Sequence, residues 1–244
     1  MKLLTFIICL LSFSCFVLNA QDMNKGFKYL EVGDFKNGEV FFENILRDHP
    51  KNKTALVCYG RAIGLNGKQP KAKKLFSDLL IDYPGDLEVE LNYAESMLWG
   101  SEFEEAESYY GMLVKKYPEN FAALLGMANT FSNLQKYNLA IEFIERALKV
   151  SPGNPNALVS KKYIHLGYAS VLSRNQRYND CEEYLLKNLE FFPDDRETYL
   201  SLANLYLVVK KFNKANHAYE KVATNYKDSV LALNGKSLVL AFKV

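Results

Sequence analysis

Pro50, Pro84, Pro118 and Pro152 stand 34 residues apart, and the apolar pattern between them repeats in phase. A unit of that length cannot bury its own hydrophobic face, so such a chain folds by stacking each unit on its neighbours. Two stretches of helical periodicity fall in each period, divided at Gly33-Asp34, Gly67-Lys68, Gly100-Ser101 and Lys136-Tyr137. Pro-Gly-Asp and Pro-Glu-Asn tracts then separate one unit from the next and supply helix stops and caps. No strand pattern competes.

Small and large residues alternate at fixed offsets from the prolines. Twenty-four places earlier stand Gly26, Gly60, Ala94 and Ala128, and 21 places earlier Tyr29, Ile63, Met97 and Phe131. Twelve places earlier stand Gly38, Ala72, Ala106 and Ala140, and eight places earlier Phe42, Phe76, Tyr110 and Ile144. A small residue lets a neighbouring helix approach, and the large one fills the space beside it. In these positions the chain resembles the tetratricopeptide repeat family. The resemblance implies an all-α, right-handed α-solenoid of about six helix-turn-helix repeats plus a C-terminal helix. The repeats fall at about 21–52, 53–86, 87–120, 121–154, 155–195 and 196–229, with the last helix at 230–244.

Two places break the rhythm. Pro193 follows Pro152 by 41 residues, one period plus seven. Seven residues are about two helical turns, so a first helix lengthened over about Pro155–Arg174 keeps its buried face in register, with Ala169, Leu172, Cys181 and Leu185 at the packing offsets. It is expected either to project as a ridge or to repack on the preceding unit. The last unit places Ala203, Tyr206, Ala215 and Tyr219 correctly, but Lys227 replaces its proline.

Met1-Lys2 followed by the apolar run Leu3–Leu18 has the layout of a secretory signal, with cleavage expected after Ala20. Lipoprotein processing at Cys15 and an uncleaved anchor are the alternatives. Residues 1–20 are therefore excluded from the fold, residues 21–244 form the repeat domain, and the expected location is periplasmic or associated with an outer membrane. Of the four cysteines, Cys58 and Cys181 remain after cleavage; three repeats apart, they read as buried hydrophobes.

A net charge of +2 gives no electrostatic case for nucleic acid. His49, His165 and His217 lack metal-ligand spacing. Gly64–Gln69 lacks the first glycine and final hydroxyl of a phosphate loop, and Glu102, Glu104, Glu105 and Glu107 open a helix where carboxylates favour its dipole. The expectation is thus no enzyme, no metal and no cofactor.

Function falls to the surface. In the family that the chain resembles, the first helix of each pair lines a groove that binds partner segments. Positions 23 and 19 before each proline, or before Lys227 in the last unit, together with Ser132, carry the candidate groove residues Arg61, Glu95, Trp99, Asn129, Ser132, Asn133, Arg174 and Asn204. A lysine column that grips terminal carboxylates in some members reads here Met23, Val57, Leu91, Leu125, Leu166 and Leu200, so that clamp is absent. Trp99 is either a binding anchor or inter-repeat packing, and Asn129, Ser132 and Asn133 form a polar patch suited to an extended peptide.

The apolar end, with Leu238, Val239, Leu240 and Phe242, is a candidate docking or self-association surface. The block Phe121–Tyr178 is also similar to repeat modules that precede outer-membrane barrels. The expected function is a noncatalytic periplasmic scaffold binding an envelope protein or peptide, in assembly of an outer-membrane or secretion complex. A glycan or cell-wall polymer module and a barrel-derived module are the alternatives. Membrane association would come only through the partner or lipidation at Cys15.

Overall fold

A computed structural model of the chain describes residues 23–225, 234–237 and 239. All elements there are helical: α1 (23–31), α2 (Phe35–Asp48), α3 (Lys53–Leu65), α4 (Gln69–Asp82), α5 (Leu87–Trp99), α6 (Phe103–Lys116), α7 (Phe121–Asn133), α8 (Tyr137–Val150), α9 (Pro155–Arg174), α10 (Tyr178–Phe191), α11 (Arg196–Val208) and α12 (Phe212–Asn225). Helices consecutive in the chain pack on one another, α3 with α4, α7 with α8, α9 with α10 and α11 with α12, and likewise α2 with α3, α4 with α5, α8 with α9 and α10 with α11. They form two compact units, one ending at Leu113 and one beginning at Val114. The proposed leader, residues 1–20, lies outside the described residues.

The turn inside each pair is built the same way six times. Gly33, Gly67, Ser101, Gln135, Gln176 and Lys210 all have φ between 57° and 86°, the left-handed conformation that ends a helix. The next residue's N–H then donates back to the helix, Asp34 to Tyr29 O, Lys68 to Ile63 O, Glu102 to Met97 O, Lys136 to Phe131 O, Arg177 to Leu172 O and Lys211 to Tyr206 O, all at 2.8–2.9 Å. Gly33 and Gly67 adopt this φ without a Cβ penalty; the four others do not.

Between pairs, the residue two places after each proline caps the following helix. Asn52, Asp86, Asn120, Asn154 and Asp195 accept from the backbone N–H of Ala55, Val89, Ala123, Ala157 and Thr198 at 2.9–3.2 Å. Each satisfies a donor that the first helical turn leaves orphaned.

In the first unit, Phe42 and Phe76 are fully buried. A Cβ on Gly60 would sit 2.5 Å from Phe76 Cζ, so the small residue on α3 is what admits the ring from α4. Lys53 Nζ ties the next pair by reaching the cap carboxylate Asp86 at 2.6 Å and Glu88 at 3.1 Å.

In the second unit, Ala128, Phe131, Ala140 and Ile144 join α7 to α8, and Ala169, Leu172, Cys181, Leu185, Ala203, Tyr206, Ala215 and Tyr219 lie in the core of α9–α12. Lys162 repeats the tether of Lys53, reaching Asp195 at 2.9 Å. Both lysines stand 31 places before a proline, so the seven extra residues are the N-terminal turns of α9 that precede Lys162. Those turns repack on the preceding pair: Ala157 is fully buried and Lys161 Nζ meets Glu145 of α8 at 2.8 Å. Their other side is open, with Val159 42% exposed.

Candidate functional site

In the first unit, α3 and α5 carry three of the candidate groove residues. Arg61 and Glu95 face each other closely enough for the guanidinium to pull on the carboxyl, yet burial dominates and leaves Glu95 above the usual carboxylate range. Neither forms an ion pair within 4.0 Å among the described residues. Trp99 is half-buried and packs on the core of α3 and α4: its ring lies 6.4 Å from that of Phe76, centroid to centroid, and a Cβ on Gly64 would sit 2.3 Å from Trp99 Cε3. Its visible contacts are those of inter-repeat packing. Cys58 is buried, and desolvation pushes its thiol up to about 11, which keeps it protonated.

In the second unit, α7, α9 and α11 carry the remaining five. Asn133 turns its Nδ2 onto Asn129 O at 2.8 Å, so one amide of the polar patch is spent within its own helix. Asn129 and Ser132 are half-buried beside it.

Arg174 and Asn204, 30 residues apart in sequence, are brought to one pocket of ≈250 Å3. Its floor is apolar, from Leu166, Ala169, Cys181, Leu185 and Leu205, and Val208 stands at the edge, 58% exposed. Around it stand Ser170, Ser173, Ser201, Arg174 and Asn204. Asn204 Oδ1 accepts from the Tyr219 hydroxyl at 2.8 Å, which leaves its Nδ2 as the free end of the amide.

Arg174 has no ion pair among the described residues, and no acidic residue lines the pocket. Four other cations of the unit are committed: Lys162 to Asp195, Arg177 to Asp180, Lys211 and Lys214 to Glu182. The pocket therefore offers a guanidinium, an amide and three hydroxyls above an apolar floor, a set of donors complementary to hydrogen-bond acceptors.

Sequence reasoning named Arg174 and Asn204; Ser170 and Val208 stand at the same offsets, 23 before Pro193 and 19 before Lys227. It missed Ser173 and Ser201. Ser201, Asn204 and Val208 stand at i, i+3 and i+7, and Ser170, Ser173 and Arg174 at i, i+3 and i+4, so helical spacing alone would have added both.

A larger hollow of ≈950 Å3 at the end of α8 contains Lys116, Arg146 and Lys149. There Arg146 already donates to Pro118 O at 3.3 Å and lies over the Phe143 ring.

The expectation for the apolar end needs correction at Val239. That residue is 1% exposed and belongs to the core of α9–α12, because a Gly235 without Cβ lets this segment press against the Tyr219 ring. It is not a surface anchor. Leu238, Leu240 and Phe242 lie outside the described residues.

Residues 100–155 match the tetratricopeptide repeat profile. The crystal structure of PilW, a widely conserved type IV pilus biogenesis factor, superposes with a TM-score of 0.68 at 17% identity, covering 89% of this chain and 97% of that one. The fold is that of the tetratricopeptide repeat. A tetratricopeptide repeat protein from Parabacteroides merdae superposes with a TM-score of 0.59 at 20% identity, over 92% of this chain and 86% of its own. Among curated proteins, the Protein CTR9 homolog of Arabidopsis thaliana is 29% identical over 150 residues, 57% of this chain; the chain spans 14% of that relative's length. In tetratricopeptide terms, α9 and α11 are first helices of their repeats, and the Arg174 pocket lies between them over Cys181 and Leu185 of α10.

Proposed function

We propose that the chain is a noncatalytic scaffold of the cell envelope that holds an extended protein segment along the first helices of its second unit. The observation that carries this reading is the pocket of Arg174, Asn204 and three serines over an apolar floor. Hydroxyl and amide groups beside an apolar surface suit a peptide, whose backbone needs hydrogen bonds and whose side chains need pockets. The envelope location rests on the signal-like run at residues 3–18, and an assembly role is consistent with the shared fold of the pilus biogenesis factor.

A photo-crosslinking residue at Ser201, compared with one at exposed Leu186 on α10, tests this in envelope extract. The reading predicts a protein adduct from position 201 only, abolished by protease treatment of the extract. An adduct that survives protease would mean a glycan or cell-wall polymer, and equal adducts from both positions would remove the groove from the account.

A further inference from the structure

The geometry points to a side-chain carboxylate as the group that enters the Arg174 pocket: the bound segment is acidic at one position and apolar beside it. This rests on the reading that the second unit holds a peptide, and it names the chemistry recognised there.

Four observations combine. Lys162, Arg177, Lys211 and Lys214 of the same unit are matched by carboxylates whereas Arg174 is not, and no carboxylate lines the pocket itself. An anion that enters meets the Arg174 charge with no carboxylate side chain in the lining to repel it. Arg174 is also the last residue of α9, surrounded by hydroxyls of Ser170 and Ser173 from the turn before it and Ser201 from α11. A guanidinium presents paired donors that match the two oxygens of a carboxylate, and the Asn204 Nδ2 adds another donor across the pocket.

Size selects the ligand further. At ≈250 Å3 the pocket falls below the ~300–1,000 Å3 typical of whole small-molecule sites, so it suits one side chain of a longer ligand. Val208, exposed at the edge, offers the neighbouring apolar contact.

The test uses the purified chain and two end-capped decapeptide pools built from Ala, Leu, Ser and Thr, identical except for a central Glu or Gln. Capping removes terminal carboxylates. Peptides retained by the immobilised chain are quantified by mass spectrometry. The Glu pool should be enriched about two- to fivefold over the Gln pool, the effect of one solvent-exposed ion pair. Arg174→Gln should bring the ratio to parity, and Arg174→Lys, which keeps the charge but loses the fork, should give an intermediate ratio. Arg174 is exposed, so both variants should keep the native circular dichroism spectrum.

Equal retention of both pools, with loss of both on Ser201→Trp, would overturn the carboxylate assignment and leave the peptide groove standing. Retention of neither would overturn both. A central phosphoserine pool enriched above the Glu pool would mean that the site takes phosphoryl groups, and the assignment would fall.

Discussion

Lowering the pH from 7 to 5 should weaken the second unit through one side chain, His165. Its imidazole is 2% exposed inside α9, edge-on to the Tyr184 ring with centroids 5.2 Å apart, and its Nδ1 has no hydrogen-bond partner among the described residues. Burial, reinforced by the Lys161 ammonium, pushes its pKa down to about 4, against the pull of Asn188 and Glu145 in the other direction. In the unfolded chain the same group titrates near 6.5. Between those values the unfolded state binds the proton and the folded state refuses it, so stability present above pH 6.5 is lost as pH falls toward 4.

For these two values the linkage relation gives a loss of about 2 kcal/mol between pH 7 and pH 5. With a urea dependence of about 2 kcal/mol per molar, the midpoint should move down by about 1 M. Helix circular dichroism during urea titration at the two pH values measures it. His165→Phe removes the titration while filling the cavity, so its midpoint should change far less over the same interval. Asp195 and Glu182 complicate only the acid end: burial raises each, but hydrogen bonds outweigh it and hold both below their ordinary values, so their stabilisation fades below about pH 5. Equal pH dependence in wild type and His165→Phe would refute the assignment of this loss to His165.

Further outcomes follow from the fold. Gln135→Gly and Lys210→Gly should each stabilise by about 0.5–1 kcal/mol in urea titration, because both replace a side chain held at φ 57°. Gly67→Ala, at φ 86°, should cost about 1 kcal/mol by the same measurement. Asn120→Ala removes the cap on Ala123 N–H and should cost about 1 kcal/mol, read as faster amide exchange in the first turn of α7. Trp99→Ala should destabilise the first unit by about 3 kcal/mol in thermal unfolding, since the ring fills the space over Gly64. Unchanged thermal stability in that variant would show that its packing contributes little.

Much of the fold was legible because its interactions are local and repeated. A proline followed two places later by Asn or Asp encodes a cap, and a small residue at a fixed offset from an aromatic encodes helix contact, so one unit's pattern checks the next. The left-handed turn residue was legible only where glycine marks it: Ser101, Gln135, Gln176 and Lys210 hold the same conformation because the packed helices on either side impose it. For Trp99, periodicity places the residue on a first helix, but only the packing of α5 on α3 shows that its ring meets Gly64, where no Cβ keeps it out. Val239 likewise reads as part of an apolar end, and only its contact with the core shows it to be buried.

The sequence by itself determined the all-α repeat architecture and the face on which candidate ligand groups stand, since both follow from helical period and residue size. Only the tertiary structure decided which of those groups are available. Lys162, Lys211, Lys214 and Arg174 are all cations in the same stretch of sequence, but three meet carboxylates from other helices or loops and one does not. Pairing depends on distance in space, and that distance is set by how the helices stack, which is why Arg174 is left without an ion pair at its pocket.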